Sequence, residues 1–406
     1  MRLALVRTLL AQRMEIAFAG YARRDPMALL HLPPGQRDPY PVYARIRARG
    51  PLTPTRLGNW MTASHRVAGQ VLRDRRFGVE VPSAQGEPGL DLSFLALDPP
   101  GHTRLRRLAQ PTFSPKAVAG YTERITDTAA KLLDGREGQR FDLVHDFAAP
   151  LPIAVITELL GVPDADTAEF ARHGQIIGSA LDGIRSLRHA ASLQASSVHI
   201  EALFTRLIEL RSREPRADIV SHLLANGDRI RPHELLPMCN LLLVAGFETT
   251  VNLISNCVLA LLRHPAQWAD LCADPAGLAL AAVEETLRYD PPVQRVARVA
   301  QEPVQLEGAD IRPGQFVFSM IGGTGRDPEA HDRPGVFDIH RTGGPPHLAF
   351  SAGIHYCVGA PLALNEAATA IRVLAERLPG LRLAGRVQRR LTTTIRGPLS
   401  LPVRAG

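Results

Sequence analysis

Apolar residues recur at helical spacing along most of the chain. Runs at residues 64–74, 102–110, 117–134, 150–160, 197–212, 233–263, 277–289 and 361–377 each place them on one face, and each predicts a helix. Pro and Gly clusters punctuate these runs: DPPG at 98–101, GVPD at 161–164 and YDPP at 289–292. Strand-like pieces are short and confined to 50–62, 293–320 and 390–404. The run VQLEGADIRPGQFVFSMI predicts a hairpin with turns at EGAD and RPGQ. The first twenty residues, MRLALVRTLLAQRMEIAFAG, are interrupted by Arg2, Arg7, Arg13 and Glu15. They predict an amphipathic helix, since their uncharged runs are too short for a spanning segment or a signal-peptide core. The expected fold class is mainly α with minor β.

No Gly/Ser-rich linker, repeat or shift of composition divides residues 1–406, so a single domain is expected. Charge changes the picture only slightly. The chain has 47 Lys+Arg against 40 Asp+Glu, a net +7, with the arginines scattered rather than blocked. Aromatic residues are 5%, too few to support stacking on bases, so no nucleic acid is expected, whereas an acidic partner protein remains open. Cys239, Cys257, Cys272 and Cys357 include no CxxC pair. That argues against a disulfide or zinc framework and for a reducing, cytoplasmic setting without a membrane anchor.

Cys357 is the odd one. Three cysteines sit in apolar helical runs, but Cys357 lies in HLAFSAGIHYCVGA (347–360), a turn of small residues at the mouth of a helix. A helix N-terminus lowers a thiol's pKa, and a lone thiolate suits a metal that brings most of its own ligands. Haem iron, with one axial thiolate, meets that description. A structural cysteine beside a turn is the alternative from these residues alone.

The segment resembles the cysteine-ligand signature of the cytochrome P-450 haem-thiolate monooxygenases, FGxGxHxCxG in its bacterial form. Phe350, Gly353, His355, Cys357 and Gly359 match, and Ser351 stands where Gly is usual. Such a serine costs little unless the position needs φ > 0. Further motifs follow the family's order, so the resemblance spans nearly the whole chain. They are DPPGHTRLRRL with His102 and Arg106, LLLVAGFETT at 241–250, and EETLR with Glu285 and Arg288. RVAQEPVQLEG with Arg298 and GRDP at 325–328 complete the set.

The resemblance implies a cytochrome P-450 fold, a large helical domain plus a small β-rich region, binding haem b. It implies that Cys357 ligates the iron and that Phe350 packs near the sulfur, with His355 and Gly359 completing the cysteine loop. His102, Arg106 and Arg298 would hold the haem propionates. Ala245 and Gly246 would leave room above the ring. Thr249 can bond back to the Ala245 carbonyl and bend the helix, and Glu248 and Thr249 would deliver protons to the oxygen being reduced. The substrate pocket would draw on residues 78–96, 165–190 and 394–399, on Val244, and on the stretch containing Val293, Gln294 and Arg295. These are mostly apolar, so the expected reaction is hydroxylation or epoxidation of a hydrophobic small molecule. Electrons would come from a separate ferredoxin and its NAD(P)H-dependent reductase, since no flavin or iron–sulfur motif is present. Alternatives are a non-catalytic haem sensor or a partner-recruiting relative. A peroxide-driven member is opposed by the Glu248–Thr249 pair.

Several residues raise narrower expectations. The family's PxRF arginine, which completes a triad with the ExxR pair, is absent at Pro334-Gly335-Val336-Phe337. Arg333, His340 or backbone carbonyls are the expected substitutes. Arg66, Arg73, Arg75, Arg76, Arg104 and Arg107 are candidates for a basic face on the cysteine side. Arg295 is unusual in its strand and would meet a substrate carboxylate, a propionate or solvent.

Overall fold

The computed structural model describes residues 14–56, 58–81, 92–179, 186–226 and 229–406. Helices of nine or more residues run in chain order as α1 (Tyr40–Ala48), α2 (His65–Arg73), α3 (Gly101–Ala109), α4 (Thr122–Leu133), α5 (Pro150–Leu160) and α6 (Thr167–Gly178). They continue as α7 (Leu187–Arg213), α8 (Pro232–Arg263), α9 (Pro265–Ala273), α10 (Pro275–Tyr289) and α11 (Ala360–Arg377). The predicted periodic runs all fall on these helices. Proline opens several of them because its fixed φ and missing N–H suit a first turn; α5, α8, α9 and α10 each carry one at N1 or N2.

The strands are short: β1 (Thr53–Pro54), β2 (Trp60–Thr62), β3 (Phe77–Gly78), β4 (Arg140–Asp142), β5 (Val296–Ala300), β6 (Val304–Leu306), β7 (Ala309–Ile311), β8 (Phe316–Ser319), β9 (Arg382–Leu383), β10 (Gln388–Arg389), β11 (Pro398–Ser400) and β12 (Pro402–Arg404). The EGAD turn joins β6 to β7 with Glu307 at φ 51° and Gly308 at φ 74°, the doubly left-handed geometry of a tight hairpin. RPGQ also turns, closed by Gln315 N to Arg312 O at 3.1 Å. The predicted hairpin stops there. Strand β8 leaves β7 and lies between β2 and β5 in a five-stranded sheet ordered β1-β2-β8-β5-β3. Burial explains the switch, because Val317 joins Val67, Val71, Phe77 and Ala300 in an apolar cluster.

Helix α8 is the axis of the main core. It packs against α5, α6, α10 and α11, with Leu242, Phe247, Ile254, Val258 and Leu261 buried along it. By length and composition it could cross a membrane, but 83% of its most apolar window is buried inside the protein. It is a core helix. The predicted N-terminal helix lies largely outside the described residues; from Met14 the chain is helical and then widens into a π-turn at Phe18–Ala22.

Candidate active site

Two places among the described residues are conformationally odd. In the buried α8, Ala245 is exposed, while Gly246 and Thr249 are half-buried. These three lie at i, i+1 and i+4, so one stripe of a core helix looks onto open space. Thr249 Oγ1 donates to Ala245 O at 2.8 Å, the expected back-bond. Thr250 repeats it to Gly246 O at 3.1 Å, one residue further along the same turn. Val244, by contrast, is 2% exposed and packs with the core residues of α8.

The second place is the cysteine loop, seated where α11 begins. Cys357 N donates to Phe350 O at 2.9 Å, closing the loop. Gly353 has φ 70° and rests on the end of α2, where an added Cβ would lie 2.4 Å from Leu72 O. Only glycine fits there. Cys357 is solvent-accessible, yet protein crowds its sulfur enough for burial to raise its pKa. The two facts together describe a thiol at the bottom of a recess. The backbone amides of Gly359 and Ala360 and the charge of Arg106 pull the other way and favour the thiolate. The amides that approach the sulfur therefore come from the helix start, not from the small residues before it.

Above the loop gather His102, Arg106, Arg298 and His355, as the motifs imply. The His102 and His355 rings lie 4.3 Å apart. Both ring nitrogens of His102 are buried without a hydrogen-bond partner, as is Nε2 of His355, whose nearest acid, Asp98, is 3.6 Å away. Burial lowers the pKa of His102, with Arg106 adding to it. His355 falls to about 4, through burial and then through Arg298 and His102. Burial also takes Arg298 down to about 10. Asp98 is the carboxylate that acts on His102, Arg298 and His355, and the burial of these groups outweighs it. Two carboxylates placed here would meet the orphaned nitrogens and reverse these shifts, which is what the propionates of a haem carry. With the recessed thiol and the open stripe of α8, the residues fit the group.

Ser351 alters this picture. Its φ is 63°, so the usual glycine is conformationally needed and serine is strained by about 1 kcal/mol. The condition under which this replacement would be costly, a position that needs φ > 0, is met. In exchange, Ser351 Oγ accepts from Arg298 Nη2 at 3.2 Å.

The ExxR pair is buried and fully engaged. Arg288 Nε and Nη2 each reach Glu285 at 2.7 Å, and the guanidinium also donates to the carbonyls of Gly325, Pro334 and Val336. A Cβ on Gly325 would sit 1.9 Å from Arg288 O, so glycine is required in this GRDP turn. The missing arginine is replaced by Arg341, whose Nε is 3.2 Å from Glu285 Oε2. Arg333 is 65% exposed and pairs with Asp332 and Asp338, and His340 meets Asp270, so neither takes that role. Backbone carbonyls contribute as expected.

Other expectations divide. Val293 is half-buried and bridges to Ile395 of the tail, joining two predicted pocket segments. Gln294 turns inward: it accepts from Tyr43 Oη at 3.0 Å and donates to Pro291 O at 2.7 Å, an architectural role rather than a substrate contact. Arg295 reaches Met27 Sδ at 3.6 Å, and burial followed by the charge of Arg295 lowers the pKa of His31. Within the predicted stretches 78–96 and 165–190, residues 82–91 and 180–185 lie outside those described. The basic face is thinned, since Arg66 pairs with Glu307, Arg76 with Asp74 and Arg104 with Glu234. Arg73, Arg75 and Arg107 remain exposed, and Arg73 adjoins the loop at Gly353.

The sequence profile described as Cytochrome P450 matches residues 278–376. The Cytochrome P450 monooxygenase PikC of Streptomyces venezuelae is 40% identical over 388 residues, covering 90% of this chain and 91% of PikC. Among solved structures, P450BioI in complex with hexadec-9Z-enoic acid ligated Acyl Carrier Protein is similar with a TM-score of 0.87 and 36% identity, over 92% of this chain and 99% of that one. Myxobacterial cytochrome P450 CYP267B1 in complex with myristic acid has a TM-score of 0.84 at 36% identity, over 93% of this chain and 98% of that one.

Proposed function

The chain belongs to the cytochrome P450 family, and we propose that Cys357 holds the iron of its haem and that a separate ferredoxin feeds it electrons. Family members bind haem b, and this protein is a P450 monooxygenase. When bound, the haem supplies the oxidising chemistry, and the thiolate tunes it. The chain does the rest. His102, Arg106, Arg298 and His355 take the propionates, with Ser351 steering Arg298. Ala245 and Gly246 keep the distal face open. The Thr249 hydroxyl, parked on Ala245 O, turns to donate a hydrogen bond at the oxygen site, and Glu248 resupplies the proton.

The observation that carries this reading is the group of partnerless histidine nitrogens and desolvated arginines beside an accessible, recessed thiol. The stretches expected to line the pocket are mostly apolar, which supports a hydrophobic substrate. Long-chain acyl groups are the first compounds to test, because two relatives of similar fold are described with fatty acyl ligands. One haem domain spanning the chain, working in the cytoplasm with an NAD(P)H-dependent reductase, completes the proposal. Arg73, Arg75 and Arg107 offer an acidic ferredoxin a docking patch on the cysteine side. The test is NAD(P)H-dependent turnover of a fatty acid with ferredoxin and reductase. Product should form, at a rate that falls steeply with salt. Haem reduction without product from any hydrophobic compound would favour a sensor instead.

A further inference from the structure

Asp98 lies just before α3, and its carbonyl accepts from His102 N at 3.1 Å, at the root of the helix that carries His102 and Arg106. Its carboxylate faces two ways. On one side, Oδ1 is 3.6 Å from His355 Nε2, beyond hydrogen-bond reach but near enough for charge to act. That charge also bears on His102 and Arg298. On the other side, Oδ2 accepts from Val79 N and Glu80 N at 3.0 Å each, and Oδ1 is 3.1 Å from Val79 N. Glu80 returns the contact: its Oε1 accepts from Asp98 N at 2.9 Å, and its carbonyl accepts from Gln301 Nε2 at 2.9 Å. Gly78 completes the seat. An added Cβ there would lie 2.2 Å from Asp98 Oδ2 and 2.6 Å from Gln301 Nε2, so a side chain would push the carboxylate off the amides. Val79 and Glu80 follow β3 directly and open the stretch 78–96 that is expected to line the pocket. The Asp98 side chain is 18% exposed, so its charge is only partly screened.

We propose that Asp98 is a positioning residue with two opposed effects: it fixes the backbone at Val79 and Glu80, and it loosens the haem by standing as an anion beside the propionate clamp. This deepens the reading of His102, Arg298 and His355 as propionate ligands and rests on it. An ionised carboxylate accepts on both oxygens, whereas an amide in its place turns a donor toward the backbone N–H groups. The same charge draws on the groups that the propionates need, and it repels the propionates themselves. Loop order and haem retention are therefore set against each other at one side chain. Neutralising Asp98 frees the loop and tightens the clamp. Removing a residue that merely supported the fold would loosen both.

The test uses haem-loaded protein matched for haem content: wild type, Asp98→Asn, Glu80→Gln and Arg298→Gln. Two quantities are read, hydrogen exchange of the Val79 and Glu80 amides and the rate at which haem passes to a scavenging globin. Asp98→Asn should raise exchange at these two amides by about tenfold, the loss of a hydrogen bond to a charged acceptor. It should at the same time slow haem release by roughly two- to fivefold, the range of a partly exposed charge interaction. Glu80→Gln keeps an acceptor for Asp98 N and leaves Asp98 charged, so it should release haem at the wild-type rate. Unchanged exchange at Val79 and Glu80 in Asp98→Asn would overturn the proposal. So would haem release from that variant as fast as from wild type or faster, or its failure to take up haem. An equal slowing in Glu80→Gln would trace the effect to net charge and overturn it too. Arg298→Gln tests the underlying reading: it should release haem faster than wild type. Wild-type retention there would refute the propionate clamp, a failure that the exchange of Val79 and Glu80 in Asp98→Asn separates from a failure of Asp98 to hold the loop.

Discussion

Arg341→Ala should destabilise the protein by about 3 kcal/mol, whereas Arg333→Ala and His340→Ala should cost less than about 1 kcal/mol each. The magnitude follows from what each side chain touches. Arg341 is 13% exposed; it donates to Asp332 O at 2.6 Å and Val336 O at 2.9 Å, and its Nε is 3.2 Å from a Glu285 carboxylate that is itself 4% exposed. Each acceptor abandoned by a charged donor is worth about 1.5 kcal/mol or more. Stripping a buried carboxylate of all its cations would cost about 3–5 kcal/mol, but Glu285 keeps Arg288, so only part of that applies. Arg333 and His340 are 65% and 51% exposed, where ion pairs contribute little. Guanidinium unfolding of the haem-loaded variants, with midpoints converted through a common slope, reads the difference. Arg341→Lys should recover only part of the loss, because lysine cannot span carbonyl and carboxylate with one fork. A loss below about 1 kcal/mol for Arg341→Ala, or an equal loss for Arg333→Ala, would refute the assignment of Arg341 as the replacement arginine.

Thr249→Ala should keep haem content and substrate affinity but release much of the consumed oxygen as hydrogen peroxide, whereas Thr249→Ser and Thr250→Ala should stay largely coupled; product per NAD(P)H oxidised decides. Ser351→Gly should leave stability within about 1 kcal/mol of wild type, as relieved strain offsets the lost bond to Arg298. The same variant should release haem faster to a scavenging globin. His331 has its pKa lowered to about 4, by burial and then by Arg288 and His65. A base depressed on folding stabilises the protein above its unfolded pKa of about 6.5, and that contribution disappears as pH falls toward the folded value. His331→Gln should therefore flatten the loss of unfolding midpoint on acidification across that window.

Helix positions were legible because burial on one face of α4, α8 or α11 leaves a periodic signature that needs no tertiary knowledge. Local chemistry was legible for the same reason, as His102 and Arg106 lie on one turn and Cys357 at one helix mouth. What the sequence hid depends on where distant segments arrive. Strand β8 reads as the continuation of a hairpin, and only its buried neighbours across the sheet pull it away from β7. Arg341 lies outside the family's motif, and nothing local separates it from Arg333. Gln294 and Arg295 read as pocket residues because strand alternation does not say whether Tyr43 or Met27 waits on the other side. The positive φ of Ser351 and the reach of Asp98 to the amides of Val79 and Glu80 are likewise products of the assembled fold.

The central claim is that Cys357 is the thiolate ligand of the haem. Its most direct test is the absorption spectrum of the reduced, CO-bound protein, compared between wild type and Cys357→Ser at equal haem content. Wild type should show the displaced Soret band of a thiolate-ligated haem. The variant should still fold and take up haem, since His102, Arg106, Arg298 and His355 are untouched, but lose that band, because a serine hydroxyl is a poor iron ligand. An unchanged displaced band in Cys357→Ser, or its absence in wild type, would contradict the account.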